Sequence, residues 1–296
     1  MPDFVQRPQE FGVGRRFGAG PVAPRRRWRP RLVGTIGLSL ILAFSASSAD
    51  AQLSADDYIN ADRPGIADGS TTVGLRRFEI ETAIQAEFRW KGADHDRTIF
   101  IPTLLRYGVA DKWELRLEGN SFTWLRQSNP VNGTAHSSGF APTSIGVKYN
   151  FLDASGTERP SVGAIVRVFP PSGSGDFRNR ATTGDVRLAA DWNLADKWSL
   201  NPNVGIGFYE DGSSRIYHTG LLAATLNFNP SKVLNLFIDT GIQTREEKRG
   251  RTSIIVDAGG AYIIGRDIQL DLSVGTGAAG ATPPHPFLAA GFSKRF

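Results

Sequence analysis

From Leu75 onward, the chain alternates apolar and polar residues with a period of two. Between Leu75 and Trp90, apolar side chains such as Phe78, Ile80 and Ile84 occupy one parity, and charged or polar side chains occupy the other. Successive side chains of a β-strand point to opposite faces, so this period predicts a strand with one apolar and one polar face. In a water-soluble sheet the polar face would meet solvent, whereas in a membrane barrel it would line the lumen.

A strand–turn–strand unit recurs along the chain. Tyr107–Asn120 and Trp192–Val204 both contain Ala-Asp-Lys-Trp at the turn, and Phe228–Ile238 and Tyr262–Leu272 are looser copies. Each unit enters the turn from an apolar run and leaves it as apolar/polar alternation, which predicts a β-hairpin. Repetition of the hairpin predicts an antiparallel meander.

Aromatic residues accompany these turns. They are Tyr107, Trp113, Trp192, Trp198, Phe228 and Tyr262. In a closed sheet they would all lie at one level, as in the aromatic girdle of a barrel that crosses from hydrocarbon to water. The clustering therefore favours a membrane barrel over a soluble β-protein.

The same alternation predicts further strands after the first. Their approximate bounds are 97–109, 112–125, 141–151, 160–170, 181–193, 197–210, 214–228, 232–245, 251–264, 267–276 and 286–296. We therefore predict an all-β, up-and-down antiparallel transmembrane β-barrel of about twelve strands over residues 75–296. Short turns alternate with longer loops, as expected when turns face the periplasm, and we expect the loops 126–140 and 171–180 to gate the outer mouth.

The N-terminal part is typical of an exported protein. A basic block at Arg25–Arg31 precedes the apolar run Leu32–Phe44, and Ala49–Ala51 resembles a cleavage site before Gln52. This order predicts a signal peptide with an N-terminal extension over residues 1–51, and an N-terminal membrane helix is the less favoured alternative because the run is short. Residues 52–74 are polar and turn-rich, and we expect this periplasmic N-terminal segment to lie on the periplasmic side or inside the barrel mouth.

The net charge of +5 comes entirely from the predicted signal, because residues 1–51 contain eight arginines and three acidic residues. The remainder of the chain is neutral, which removes the argument for a nucleic-acid partner. The chain has no cysteine, so a disulfide framework and thiolate chemistry are excluded.

Charged residues of both signs share the polar parity of the strands. The candidate pore-lining residues are Glu79, Glu81, Glu87, Arg89, Arg106, Glu114, Arg116, Glu118, Lys148, Arg167, Asp185, Arg187, Asp239, Asp257 and Asp271. They predict either a polar pore with a transverse field or a lumen filled by salt bridges, and a barrel of this size accommodates both.

Catalytic chemistry has little support in the sequence. The four histidines are scattered without metal-ligand spacing, and His136 and Ser138 lie in a polar segment that is predicted to be a loop. We therefore expect no catalytic residues, no metal and no cofactor. The expected partners are outer-membrane lipid, a small-molecule solute and the barrel-assembly machinery, the last through the terminal strand and Phe296.

Two segments resemble a known family. Ile59–Glu81 contains Asp62-Arg63-Pro64, then a spacer, Val73 and Glu79, and the final hairpin ends in Arg295-Phe296. This pattern resembles the phenol-degradation meta-pathway family of outer-membrane transporters. The resemblance implies an outer-membrane barrel that takes up aromatic or other small hydrophobic compounds.

The sequence thus predicts a channel or transporter for small solutes in the outer membrane of a Gram-negative bacterium. Two alternatives from other classes remain open at this stage. One is a structural or adhesive barrel with a plugged lumen, and the less favoured one is a surface lipid hydrolase.

Overall fold

The computed structural model describes residues 57–212, 214–281 and 283–296, and this part of the chain is a β-sheet protein. Its strands are β1 (Phe78–Lys91), β2 (Asp94–Ala110), β3 (Trp113–Asn129), β4 (Gly133–Gly139), β5 (Ser144–Leu152), β6 (Ser161–Phe169), β7 (Thr183–Ala195), β8 (Trp198–Glu210), β9 (Ile216–Ser231), β10 (Leu234–Gln243), β11 (Ser253–Ile264), β12 (Ile268–Ala279) and β13 (Phe287–Arg295). A single turn of 3₁₀ helix, Gly175–Phe177, precedes β7. Within these described ranges, no helix is long and apolar enough to cross a bilayer. The predicted signal peptide lies outside the described residues.

Twelve strands close into a barrel. Among the described residues, β4 pairs with the upper end of β3 and lies outside the ring of twelve. The other strands pair antiparallel in chain order, with β3 next to β5, and β1 pairs with β13 to complete the circle. The closing register places Glu79 opposite Arg295 and Glu87 opposite Phe287. This arrangement confirms the prediction of an up-and-down antiparallel barrel of about twelve strands.

The strand β4 corrects one element of the sequence prediction. We expected residues 126–140 to form a loop, but β3 continues to Asn129 and pairs there with β4. Most side chains of β4 are exposed, so the strand has no buried apolar parity that could reveal it in the sequence. Backbone hydrogen bonding to β3, rather than burial, holds it in place.

The barrel wall is apolar on the outside and polar on the inside. On its outer face Ile84, Val204 and Leu272 are 62%, 52% and 66% exposed, whereas their neighbours Asn203 and Asp271 are buried. A soluble protein would bury the first set and expose the second. Such a surface is stable only in contact with lipid, because hydrocarbon favours the apolar face and the closed sheet leaves no unpaired edge.

The six aromatic residues predicted to form a girdle all lie near the strand ends that carry the short turns. Trp198 lies directly opposite Phe228, with ring centroids 4.8 Å apart, and Trp113 stacks on Tyr149 at 4.4 Å. Aromatic rings are favourable at the boundary between hydrocarbon and water, so this level marks the periplasmic face of the membrane.

A charge on the outer face tests this orientation. We expect Val204→Arg to destabilise the folded barrel by about 2–4 kcal/mol, because an arginine near the bilayer midplane loses its hydration. Asn201→Arg on the inner face of the same strand is the matched control and should cost less than half as much, since Asp191 lies beside it. Urea unfolding in lipid vesicles measures both, and equal costs would contradict the assignment of faces.

Candidate functional site

Residues 58–77, which we call the plug segment, precede β1 and cross the lumen of the barrel. The segment is fixed at the closing strands, where the Ile59 amide donates to the Arg266 carbonyl at 2.7 Å and Arg295 donates to the Tyr58 carbonyl at 3.2 Å. At its other end the Arg76 amide donates to the Gly108 carbonyl on β2 at 2.7 Å. Between these points it contacts strands on every side of the barrel. The structure therefore places residues 58–74 of the predicted N-terminal segment within the lumen, and residues 52–56 lie outside the described part of the chain.

Asp62 is the centre of the contact between the plug segment and the wall. Its carboxylate accepts hydrogen bonds from Arg116 at 2.6 Å and from Lys148 at 2.9 Å, and the guanidinium of Arg106 lies 3.8 Å away. The Arg106, Arg116 and Lys148 side chains are almost completely inaccessible to solvent. Lys148 forms an ion pair with Asp62, at 2.9 Å between Nζ and Oδ2. The plug segment therefore supplies the negative charge that this buried lysine requires.

The same contacts set the ionisation of Asp62, which lies in the plug segment and outside the membrane-spanning strands. Burial alone would raise the pKa of this carboxyl group, but the positive charges of Arg106, Lys148 and Arg116 hold the pKa well below its usual value. Asp62 is consequently ionised throughout the neutral and mildly acidic range.

Asp68, six residues further along the plug segment, extends the network to the opposite wall. Its carboxylate pairs with Arg116 at 3.2 Å and with Arg187 at 3.3 Å, while its backbone amide and carbonyl both bond to the Asn203 side chain. Arg187 also pairs with Asp185, which continues the network along β7. One connected set of charges thus spans the lumen from β2 to β7, and the uncharged Asn203 extends the hydrogen bonding to β8.

Wall carboxylates also bind the backbone of the plug segment. Glu81 accepts the amides of Asp62 and Arg63 at 3.1 and 2.9 Å, and Asp239 accepts the amide of Ile66 at 2.6 Å. These bonds satisfy amides that would otherwise be buried without partners. The plug segment has no regular secondary structure, so its position depends on such side-chain acceptors.

Two further wall carboxylates bind the second half of the plug segment. Glu114 accepts the amide of Val73 at 2.9 Å, and Asp191 accepts both the amide and the hydroxyl of Ser70 at 2.9 and 2.6 Å. The segment is therefore held along its length rather than at one point.

Glycines in the wall allow the plug backbone to approach closely. A Cβ atom on Gly108 would lie 1.7 Å from the carbonyl oxygen of Gly74, and one on Gly163 would lie 2.5 Å from that of Ser70. Any larger residue at these positions would push the plug segment away from the wall.

The structure gives the fifteen candidate pore-lining residues a common location. All except Arg89 are buried on the inner face of the barrel, and the partly buried Arg89 pairs with Glu87 at 2.5 Å. Most of them are joined by ion pairs to each other or to the plug segment. Their role as the lining of an open pore stays a prediction, since in this conformation they close the lumen.

The residues that carry the family resemblance, Asp62, Arg63, Pro64 and Glu79, take part in the same contacts. Asp62 binds the cationic wall, Arg63 pairs with Asp271 at 3.2 Å, and Glu79 pairs with Arg106 at 3.1 Å. Pro64 lies between the two cavities described below. Sequence reasoning missed Asn203, because an uncharged amide on the polar parity does not stand out among the charges.

Two cavities lie on opposite sides of the plug segment. The outer cavity has a volume of about 60 Å³, enough for a few water molecules, and is partly lined by Ile66, Leu104, Ile255 and Phe287. The inner cavity has a volume of about 380 Å³ and opens near the periplasmic turns. Its polar lining includes Asn193, Asn201, Asn227, Asn229, Asn235 and Ser199.

The residues considered for hydrolysis are not in the lumen. His136 and Ser138 both lie exposed on β4. Among the described residues there is also no group of three or more histidine, cysteine or acidic side chains arranged to hold a metal ion.

Neutralising Asp62 should open the lumen. Losing one partner of a buried ion pair costs about 3–5 kcal/mol, so we expect Asp62→Asn to shift the equilibrium constant between the closed and open states at least about tenfold towards the open state. Single-channel recording in planar bilayers would show longer and more frequent openings. Asp153→Asn is the matched control, since it breaks only the exposed 2.8 Å pair with Lys112, and a similar effect of both variants would contradict the role of Asp62.

The lowered pKa of Asp62 predicts a particular pH dependence. Because the pKa is lower in the folded state than the ordinary value of about 3.9, the ionised carboxylate stabilises the closed state above about pH 4. This stabilisation is lost only as the pH falls through the lower, folded-state value. We expect constant conductance from pH 7 to about pH 4 and an increase below it. Opening between pH 5 and 7 would contradict the role of the ionised Asp62 carboxylate in keeping the lumen closed.

Comparison with known proteins agrees with this architecture. Residues 61–296 match the family described as "Putative MetA-pathway of phenol degradation". No curated protein is significantly similar in sequence. Among solved structures, an outer-membrane channel from Pseudomonas putida F1 is 13% identical with a TM-score of 0.58, and the alignment covers 77% of this chain and 98% of that one.

A second similar structure comes from an autotransporter rather than a channel. It is the β domain of the Bordetella autotransporter BrkA, which is 12% identical with a TM-score of 0.50 over 73% of this chain and 98% of that one. At such low identity both structures inform on the fold alone. This protein has the fold of a bacterial outer-membrane β-barrel, and by its match over residues 61–296 it belongs to the family of the MetA pathway of phenol degradation.

Proposed function

We propose that this protein is an outer-membrane channel for small solutes, and that movement of the plug segment controls its opening. The observation that carries the proposal is the pairing of Asp62 with the buried Lys148 and Arg116. A barrel with a purely structural role could fill its lumen with wall side chains alone. Here a separate stretch of chain, held by ion pairs and hydrogen bonds, closes an otherwise polar lumen.

The outer cavity favours small apolar or aromatic solutes. Ile66, Leu104, Ile255 and Phe287 form the apolar part of its lining, which also contains carboxylates such as Glu87 and Asp257. Its volume of about 60 Å³ limits it to small molecules unless the plug segment moves. The family description refers to phenol degradation, which agrees with aromatic solutes. The similar structure from Pseudomonas putida F1 is itself described as a channel.

The outer loops form part of the proposed gate. In the loop 171–180, the Ser174 amide donates to the Phe140 carbonyl at 3.0 Å, and Asp176 accepts a hydrogen bond from Ser137 on β4 at 2.5 Å. The two segments that were expected to gate the outer mouth therefore contact each other. Opening the mouth would require these contacts to separate.

Export and insertion complete the proposal. Residues 1–51 would act as a signal peptide cleaved near Ala51, and the barrel-assembly machinery would bind the terminal strand that ends in Phe296. Once the plug segment moves, the pore would be lined by the nine candidate acidic residues and the six candidate basic residues, which are Glu79, Glu81, Glu87, Glu114, Glu118, Asp185, Asp239, Asp257, Asp271, Arg89, Arg106, Arg116, Lys148, Arg167 and Arg187.

A barrel with a permanently blocked lumen is the second candidate, because the charged network fills the cross-section in this conformation. Deleting residues 58–73 from the mature chain distinguishes the channel from the permanently blocked barrel. We expect the shortened protein to show a large and sustained conductance in planar bilayers, while the intact protein opens briefly and rarely. A band that shifts on boiling in a denaturing gel confirms that both barrels are folded, and a folded but non-conducting deletion variant would contradict the channel function.

A further inference from the structure

Two arginines lie side by side on the outward face of the barrel wall. Arg97 on β2 is directly opposite Arg126 on β3, and Arg126 is in turn directly opposite His136 on β4. All three side chains are exposed and have the outward parity of their strands. Side chains that face each other in this way are about 5 Å apart at Cβ, so the two guanidinium groups repel each other unless an anion lies between them.

The wall supplies no negative charge to this row on the same face. Within β1–β4, all of which the structure describes, no acidic residue has the outward parity. Asp96 is next to Arg97 in the sequence, but it has the inward parity and lies opposite Arg89. Among the described residues neither arginine forms an ion pair, and the guanidinium of Arg97 instead lies 5.9 Å from the centre of the Phe88 ring. The paired positive charges are therefore available to an external anion.

The row lies at the outer boundary of the apolar band. Arg97 is ten residues from Tyr107 of the girdle, which is roughly 33 Å along the strand and about 25 Å along the membrane normal at a tilt near 40°. That distance matches the height of the apolar band of an outer-membrane barrel. The outward side chains between the two residues include Ile99, Ile101 and Leu105. The arginines consequently face the head groups of the outer leaflet.

Aromatic side chains lie directly below the arginines on β3. Phe122 and Trp124 share the outward parity of Arg126, and their ring centroids are 4.7 Å apart. Both rings are exposed, at a level where aromatic groups are favourable because one part meets hydrocarbon and the other meets water. The surface thus offers positive charge above and an apolar platform below, which fits an amphipathic anion.

The far side of the barrel has a different outer end. On β8 and β9 the outward positions hold Phe208 opposite His218 and Glu210 opposite Ile216. An acidic residue there replaces the paired arginines. The cationic row is therefore a feature of the β2–β4 side of the wall rather than of every strand end.

We propose that Arg97, Arg126 and His136 bind the phosphorylated sugar head group of lipopolysaccharide in the outer leaflet. Each guanidinium donates two parallel hydrogen bonds to phosphate oxygens, and a phosphate between the two arginines removes their repulsion. The His136 ring N–H donates to the same group. Lipopolysaccharide carries its phosphates on sugars directly above its acyl chains, in the same vertical order as the arginines and the aromatic rings. This site goes beyond the channel function and does not depend on opening of the lumen.

The first test uses lipid A, the bisphosphorylated anchor of lipopolysaccharide, and its dephosphorylated form. Native mass spectrometry of the mature protein, folded in detergent, measures the dissociation constant of each. We expect the wild type to bind lipid A at least about tenfold more tightly, because only its phosphates accept the charge-assisted hydrogen bonds. Equal binding of the two forms would overturn the proposal, and this comparison does not depend on the folding of any variant.

The second test locates the site. Arg97→Gln combined with Arg126→Gln should weaken lipid A binding at least about tenfold. The matched control, Lys248→Gln combined with Arg249→Gln, removes the same charge from the exposed loop between β10 and β11 and should leave binding unchanged. A band that shifts on boiling confirms that each barrel is folded.

Three results would overturn the assignment of this site to lipopolysaccharide. The first is wild-type affinity in the Arg97 and Arg126 double variant, or an equal loss in the control. The second is binding of phosphatidylglycerol as tight as that of lipid A, which would indicate a general site for anionic lipid. The third is equally tight binding of inorganic phosphate, which would indicate a site for the free ion.

Discussion

The requirement that buried charges be neutralised governs the inside of this barrel. Lys148, Arg116 and Arg106 are brought to one level by strands that fold for reasons of backbone pairing and lipid contact, and each buried cation needs an anionic partner that water does not replace. Glu114 on the wall pairs with both arginines, while Asp62, which lies in the lumen on the plug segment, pairs with Lys148 and Arg116. The plug segment and the wall are therefore one electrostatic unit, although only the wall has regular secondary structure.

Period-two alternation allowed the faces of the strands to be predicted from the sequence. Glu79, Arg106 and Asp185 were assigned to the inner face by parity alone, and the structure buries all three there. Backbone geometry makes this assignment reliable, because a slip of one residue would turn every side chain to the wrong face. Closure into a barrel followed from the same pattern, since a strand that is apolar on its outer face cannot leave an edge in lipid.

Other features depend on contacts that a local pattern does not contain. The plug segment has no period, so its place in the lumen follows from distant partners such as Asn203 and Asp239, which are 135 and 173 residues from the amides that they bind. The strand β4 was missed because its exposed polar residues form a ladder without burying an apolar face.

The polar inner cavity gives the periplasmic end of the barrel a distinct character. Asn227 and Asn235 on adjacent strands bond to each other at 3.0 Å, and Asn235 also donates to Asn229 at 2.9 Å, so uncharged amides form a continuous surface. Amides solvate cations and anions about equally, because each offers both a donor and an acceptor. The same lining holds two charges of each sign, those of Asp62, Arg63, Asp191 and Lys232. The inner cavity therefore has no excess of either charge with which to sort ions by sign.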